Sequence, residues 1–198
     1  ADLTRRFVEQ VNARDDLTAE QKMAVHVRFL IQQGDLQTAQ QTLDDALAQT
    51  PDSRELLLTQ IDLVQSQEGV DRAGQLLGAL VKTHGDHVEF RLRRALLIAS
   101  ERPNDFVPRL QELEQGIAEF STAEQSQLLR GLGTIYINLG ESDKTKELWH
   151  RAAEIAPDDL PIRLQLFELA VATQDVVLME VAADQIQKVA GQQSAYTH

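Results

Sequence analysis

Apolar residues recur along this chain at the spacing of helices. Across 54–67 the apolar positions Leu57, Ile61 and Val64 fall three or four residues apart. Across 71–82 the set is Ala73, Leu77, Leu80 and Val81. Near the N-terminus Leu3, Phe7 and Val11 mark one short amphipathic helix within 1–17. Helix starts are predicted at four capping boxes: Thr18 with Gln21, Asp52 with Glu55, Asp86 with Glu89, and Ser121 with Glu124. In each, the first side chain accepts from free N–H groups of the new helix and the second reaches back. Stops are predicted at Gly34, Gly85 and Gly140 and at Pro51 and Pro157. Glycine tolerates a left-handed turn, and proline disfavours helix in the residue before it.

The pattern repeats. "QGDLQTAQQTLDDALAQTPD" (33–52) aligns with "LGESDKTKELWHRAAEIAPD" (139–158). Gly34 matches Gly140, Leu43 matches Trp149, Ala46 matches Ala152 and Pro51 matches Pro157, each at an offset of 106 residues. Three steps of 34 leave four extra residues between them. A copy at 66–86 places Ala73 34 residues after Ala39 and Leu77 34 after Leu43. The stretch 88–120 is looser and carries the extra length, and 160–191 restores the step. Five two-helix units therefore follow the first helix, at 20–53, 54–87, 88–125, 126–159 and 160–191, with a helix stop at Gly191 and a tail at 192–198. Trp149, Phe167 and Tyr136 are the expected buried anchors.

A 34-residue helix–turn–helix unit with a large residue, then Leu-Gly, Tyr, a small residue, a bulky one and Pro resembles the tetratricopeptide repeat. The fourth copy carries Leu129, Leu132-Gly133, Tyr136, Thr145, Trp149 and Pro157, with Thr in place of the usual Ala. The first has Met23, His26-Val27, Leu30, Ala39, Leu43 and Pro51. The second has Leu57, Gln60-Ile61, Val64, Ala73 and Leu77, with Gly85 where Pro is expected. The third departs most, and the fifth puts Met179 and Ala183 at the small and bulky positions in reverse size order. The resemblance implies an all-α fold, an α-solenoid winding as a right-handed superhelix of about five such hairpins plus one N-terminal helix.

Composition agrees. The 198 residues hold 42% hydrophobic but only 5% aromatic side chains, with five prolines and ten glycines. That favours helices over many short strands and tight turns. The formal charge of −12 repels phosphate backbones, so nucleic acid is not an expected partner. No apolar run approaches the ~18 residues that span a bilayer, so membrane insertion is not expected. With no cysteine, disulfides and thiolate metal sites are excluded, and the compartment, cytoplasmic or periplasmic, stays open. The chain starts at Ala1 without a signal-peptide pattern, and a segment of a longer protein is the expectation.

"GLGTIYINLG" (131–140) poses the main chemical choice. Gly131-Leu132-Gly133 fits the start of a phosphate loop, but such a loop needs a strand before it. What precedes it is "STAEQSQLLR", a capped helical start. Gly133 stands twelve residues before Thr145, the offset that also joins Ile61 to Ala73. The glycine is therefore expected to let two helices approach. His84 and His87 form an H-x-x-H at a turn, short of the three or four ligands zinc needs. His26 is expected on a packed helix face and His150 on an exposed one. Paired acids such as Asp44-Asp45 and Asp158-Asp159 have no base beside them, and no nucleophile elbow is present. Neither catalytic residues nor a cofactor is expected.

In the resembled family the first helix of each unit lines a concave groove that holds peptides or partner helices. Transferred to this sequence, the inward positions are Arg28, Ile31 and Gln32, then Thr59, Asp62 and Gln65, then Arg93, Leu96 and Ser100. The later units give Arg130, Thr134 and Asn138, then Gln165, Glu168 and Val171. Arg28, Arg93 and Arg130 suit bidentate carboxylate binding on an otherwise acidic protein. The competing reading pairs them with neighbouring acids such as Asp62 and Glu89. The Lys/Asn clamp of the family's chaperone-tail binders has no match at these positions, so that ligand is not implied. A scaffold binding a protein segment of unspecified identity is the leading expectation. The alternatives are a spacer that self-associates through the solenoid ends and a regulatory arm of an enzyme.

Overall fold

The computed structural model describes the backbone of residues 2–195 and the side chains of residues 6–191. The inward side chain expected of Leu3 and the end of the expected tail, 196–198, lie outside what is described. Among the described residues the regular elements are all helices, without a strand. In chain order the helices are α1 (Asp2–Asn12), α2 (Ala19–Gln32), α3 (Leu36–Gln49), α4 (Arg54–Glu68), α5 (Val70–His84) and α6 (Val88–Glu101). They continue with α7 (Phe106–Gln111), α8 (Thr122–Leu139), α9 (Ser142–Ile155), α10 (Leu160–Thr173) and α11 (Val176–Ala195). Two compact units, Ala1–Leu97 and Ile98–His198, divide within α6.

In the first unit α2 pairs with α3 and α4 with α5, and α1 lies on α2. Thr18 opens α2 with both arms of its capping box. The Gln21 N–H donates to Thr18 Oγ1 at 3.2 Å, and the Thr18 N–H donates to Gln21 Oε1 at 2.9 Å. Phe7 of α1 stacks on Phe29 of α2 with ring centroids 4.1 Å apart. The central element is α4. Its Leu56 and Leu63 complete a core with Ala24, Val27 and Leu30 of α2 and Ala39, Leu43 and Ala46 of α3. Its Leu57, Leu58 and Ile61 complete another with Ala73, Leu77 and Leu80 of α5 and Phe90 and Leu97 of α6. One helix thus buries two flanks against two neighbours, as stacked hairpins require.

In the second unit α8 pairs with α9, α9 packs on α10, and α10 pairs with α11. Ser121 opens α8 with the expected box, closed by Glu124. Gly140 ends it in the left-handed conformation that glycine reaches without a Cβ penalty. Gly133 lies inside α8, where a methyl group would overlap the indole of Trp149. Trp149 in turn donates from Nε1 to the Arg130 carbonyl at 3.2 Å, and Thr145 Oγ1 donates to the Gly133 carbonyl at 3.1 Å. The small residue lets α8 and α9 approach, as the sequence implied. Tyr136 is fully buried, and its hydroxyl donates to the Val107 carbonyl of α7 at 3.3 Å.

Four local expectations are corrected. The cap of α4 is Ser53, one residue after Asp52, because Ser53 Oγ reaches the Leu56 N–H. Asp86 does not close a box with Glu89; both its oxygens accept from Arg91. Phe167 is half-buried, while Ile162, Leu166, Leu169 and Ala170 form the buried stripe of α10. This helix is apolar nearly all round, so spacing does not single out one face. α11 runs through Gly191 to Ala195, because a glycine weakens a helix by about 1 kcal/mol without ending it. The looser third copy has a physical form too. Pro103 disfavours helix at Arg102, which takes φ 45°, and Gly116 takes φ 68°. Between them the second helix of that copy is reduced to α7 and two 3-10 turns, Glu112–Glu114 and Ile117–Glu119.

Trp149→Ala is expected to cost about 3–5 kcal/mol by cavity formation. Gly133→Ala is expected to cost about 1–3 kcal/mol by overpacking against the same indole. Gly78→Ala, in α5 with open space around it, should instead stabilise by about 0.4–1 kcal/mol. Thermal and urea melts of the three variants would show two falls and one rise; a Gly133→Ala protein as stable as wild type would contradict the close approach.

Candidate functional site

The first helix of a hairpin carries alternately what it buries and what it presents. On α2, Val27 and Leu30 go into the core while Arg28 and Gln32 do not. On α4, Asp62 and Gln65 are half-buried. Arg28 Nε donates to Asp62 Oδ2 at 3.1 Å, across the 34 residues of one repeat step. Its Nη1 donates to Glu55 Oε1 at 2.7 Å. Arg93 of α6 donates to the other oxygen of Asp62. Three successive first helices, α2, α4 and α6, are therefore joined by one chain of charged hydrogen bonds, Glu55–Arg28–Asp62–Arg93.

Sequence reasoning named three of these four residues. It missed Glu55, which it assigned to a capping box with Asp52. With Ser53 as the cap, the Glu55 carboxylate is free to meet Arg28. Glu89, the other acid offered to the arginines, is engaged by Arg54 at 3.4 Å instead. Thr59 is fully buried and donates to the Glu55 carbonyl at 2.8 Å, so it presents nothing to a ligand. Ile31 packs against the core of the first hairpin. Leu96 of α6 is exposed.

The second unit holds the remaining candidates. Arg130 Nη1 donates to Asp159 Oδ2, the N-cap of α10, at 2.9 Å. Thr134 is exposed and its hydroxyl donates back to the Arg130 carbonyl at 3.0 Å, and Asn138 is exposed one turn further. On α10, Gln165 is half-buried, with Oε1 buried and unpartnered, while Glu168 and Val171 are exposed. All three arginines are thus paired within the protein, and charge in the first cluster is balanced, two guanidiniums against two carboxylates.

Solved structures share this architecture. The chain is similar to pilF of Pseudomonas aeruginosa, a tetratricopeptide-repeat protein, with a TM-score of 0.51 and 15% identity over 86% of this chain and 76% of that one. The fold is that of a tetratricopeptide-repeat protein. BtubC (BKLC) from P. vanneervenii is also similar, with a TM-score of 0.52 and 15% identity over 98% of this chain and 90% of that one. No family model matches the sequence, and no curated protein matches it.

Within the tetratricopeptide-repeat fold, burial decides the electrostatics. It disfavours charge on both Arg28 and Arg93. On Arg28 the bonds to Glu55 and Asp62 more than offset it and the pKa rises; on Arg93 burial prevails and the pKa falls. Burial pushes the Tyr136 hydroxyl up to about 12, with Glu114 and Glu147 adding to it. Of the histidines, His87 bonds the His84 carbonyl at 2.9 Å and lies edge-on to Phe90, while His84 lies 3.5 Å from Asp52. Among the described residues no three potential ligands gather around a metal position. His26 is half-buried beside a cavity of about 330 Å³ that Val8, Val11 and Met23 also line. His150 is half-buried, not exposed as expected, because it follows Trp149 into the edge of the α9 packing.

Both of these imidazoles are held below their usual pKa by burial, and His150 also by Lys146. The fold favours the neutral ring, so each adds stability above the ordinary value of 6.5 and withdraws it as the pH falls below that value. Melting temperature should therefore drop between about pH 7 and pH 5, and His26→Gln with His150→Gln should flatten that slope. An unchanged slope in the double variant would remove the two histidines from the account.

Proposed function

We propose that the chain is a non-catalytic scaffold that binds a segment of another protein along its first helices. In the first unit the binding face is Arg28 and Gln32 of α2, Asp62 and Gln65 of α4, and Arg93 of α6. In the second unit, taken by itself, the corresponding candidates are Arg130, Thr134, Asn138 and Gln165. The observation that carries this reading is the bond of Arg28 to Asp62 across one 34-residue step. It puts equivalent positions of successive first helices side by side, so a partner lying across them meets each in turn.

The chemistry follows from the pairing. The side chains of Arg28 and Arg93 are partly exposed, at 34% and 18%. An incoming carboxylate can take the place of Asp62 or Glu55 on a guanidinium, whose fork donates to it bidentately. The amides of Gln32 and Gln65 supply donors and acceptors for a partner's backbone. Gln165 Oε1, buried without a partner, would be satisfied by a bound N–H. An acidic, helix- or strand-forming protein segment fits this face, and a net charge of −12 disfavours a nucleic acid. No described helix is long and apolar enough to cross a membrane.

An array of peptides bearing Asp and Glu at varied spacings, followed by fluorescence anisotropy of the best binders, tests the reading. Arg93→Glu should weaken binding by about tenfold or more, as loss of a charged hydrogen-bond partner does. Asp62→Asn should tighten it by removing the internal carboxylate that Arg28 and Arg93 share. Circular dichroism would establish that each variant keeps its helices. Binding indifferent to both substitutions would overturn the proposed face.

A further inference from the structure

Each joint between neighbouring hairpins buries apolar residues on the flank of the earlier one. In the first hairpin Ala24 is part of the core that Leu56 and Leu63 of α4 complete, and Ile31 and Leu36 pack against it. The last hairpin repeats those positions 140 residues later as Leu164, Val171 and Val176. Their apolar character is kept, but they are 43%, 50% and 61% exposed. Beside them on α11, Met179 and Ile186 are half-buried and Ala183 is exposed. These are positions of the small-and-bulky stripe that the first hairpin buries at Ala39, Leu43 and Ala46. An apolar flank of this kind marks a surface that another element covers.

Charge says what covers it. The joints within each unit are bridged by a cation on one side and a carboxylate on the other. Arg28 meets Asp62, Arg54 meets Glu89 and Arg93 meets Asp62 in the first unit. Arg130 meets Asp159 and Lys146 meets Asp175 in the second. The position that bears Arg28 in the first hairpin and Asp62 in the second bears Glu168 in the last. Glu168 is exposed, and neither it nor the neighbouring Glu180 has a partner among the described residues. The joint is missing its cation. Two copies of this flank would set Glu168 and Glu180 against the same residues, on chains that each carry a charge of −12. The far side of α2, where another copy could otherwise stack, is already occupied by α1.

We infer that the open flank of α10 and α11 is a docking face for a basic amphipathic helix of another protein. Its apolar stripe would cover Leu164, Val171 and Val176, and a Lys or Arg would meet Glu168. The flank lies in the second unit, whereas Arg28 and Arg93 belong to the first.

Two synthetic helical peptides of about 16 residues serve as probes. Both carry the same Leu and Ile stripe at i, i+3, i+4 and i+7; one has lysines beside it and the other glutamates. Titrated against the whole chain, the lysine peptide should saturate at one site and bind about tenfold or more tighter than its partner. Glu168→Lys should reverse that preference. Val171→Asp should weaken the lysine peptide by about tenfold while leaving the melting temperature in place, since Val171 is exposed. Arg93→Glu should change nothing here, which separates this result from failure or success of the peptide face. Absence of saturable binding, or a preference that survives Glu168→Lys, would overturn the inference. So would sedimentation showing a dimer that Val171→Asp dissociates, because a second copy would then occupy the flank.

Discussion

A helix with apolar residues on two flanks has to be covered twice. That constraint governs this protein. α4 sends Leu56 and Leu63 one way and Leu57 and Ile61 the other, and neither α3 nor α5 alone can cover both. Burying a Leu or Ile side chain contributes about 1.5–3 kcal/mol, so an uncovered flank forfeits a large part of the stability of a domain this size. The hairpin is therefore too small a unit to fold alone, and the stack is the smallest arrangement that satisfies it. Stacking also decides what is left over. Once two flanks of a first helix are buried, the remaining face is the only part of it a ligand can reach.

Within a hairpin the limiting contact is between α8 and α9. Trp149 needs the volume that a side chain at 133 would fill, and its indole N–H needs the Arg130 carbonyl. Thr145 takes the place of a smaller residue and justifies its hydroxyl by donating to the Gly133 carbonyl. The same geometry settles the glycine motif chemically. A phosphate loop works by pointing free backbone N–H groups at an anion, and those groups are free only in the first turn of a helix. Gly131 and Gly133 lie in the middle of α8, where the N–H groups are consumed by the helix itself.

Much of this was legible in the sequence, and the limits were physical. The 34-residue step, the caps at Thr18 and Ser121 and the stop at Gly140 each depend on residue types with one dominant local use. The close approach of two helices at Gly133 was legible because a twelve-residue offset, Gly133 to Thr145 and Ile61 to Ala73, recurs in two hairpins; that Trp149 fills the space was not. The cap at Ser53 was not, because Asp52 and Ser53 are both good caps and only the tertiary path chooses between them. That choice moved Glu55 into the charged cluster, and so one local error hid one site residue. Phe167 was misplaced because α10 is apolar around its circumference and periodicity carries no phase there. The break at 102–121 was legible only as the looser third copy with its extra length; its form includes a tertiary bond, from the Tyr136 hydroxyl to the Val107 carbonyl in α7.

On the proposed reading, the paired arginines change how recognition would have to work. A free guanidinium in a groove would attract any acidic segment, and a surface pair would contribute little to stability by itself. Here Arg28, Asp62 and Arg93 are half-buried and shared among three helices, so the pairing also fixes how those helices lie against one another. On that reading, a ligand carboxylate that displaces Asp62 would have to match both guanidiniums or leave one of them short of a partner. The internal acid would then act as a filter, offsetting the attraction of stray acidic residues and yielding to a segment whose carboxylates and backbone meet the arginines and the flanking glutamines together. Stability of the stack and, on the proposed reading, selectivity for a partner would rest on the same three side chains, so neither would be open to change without the other.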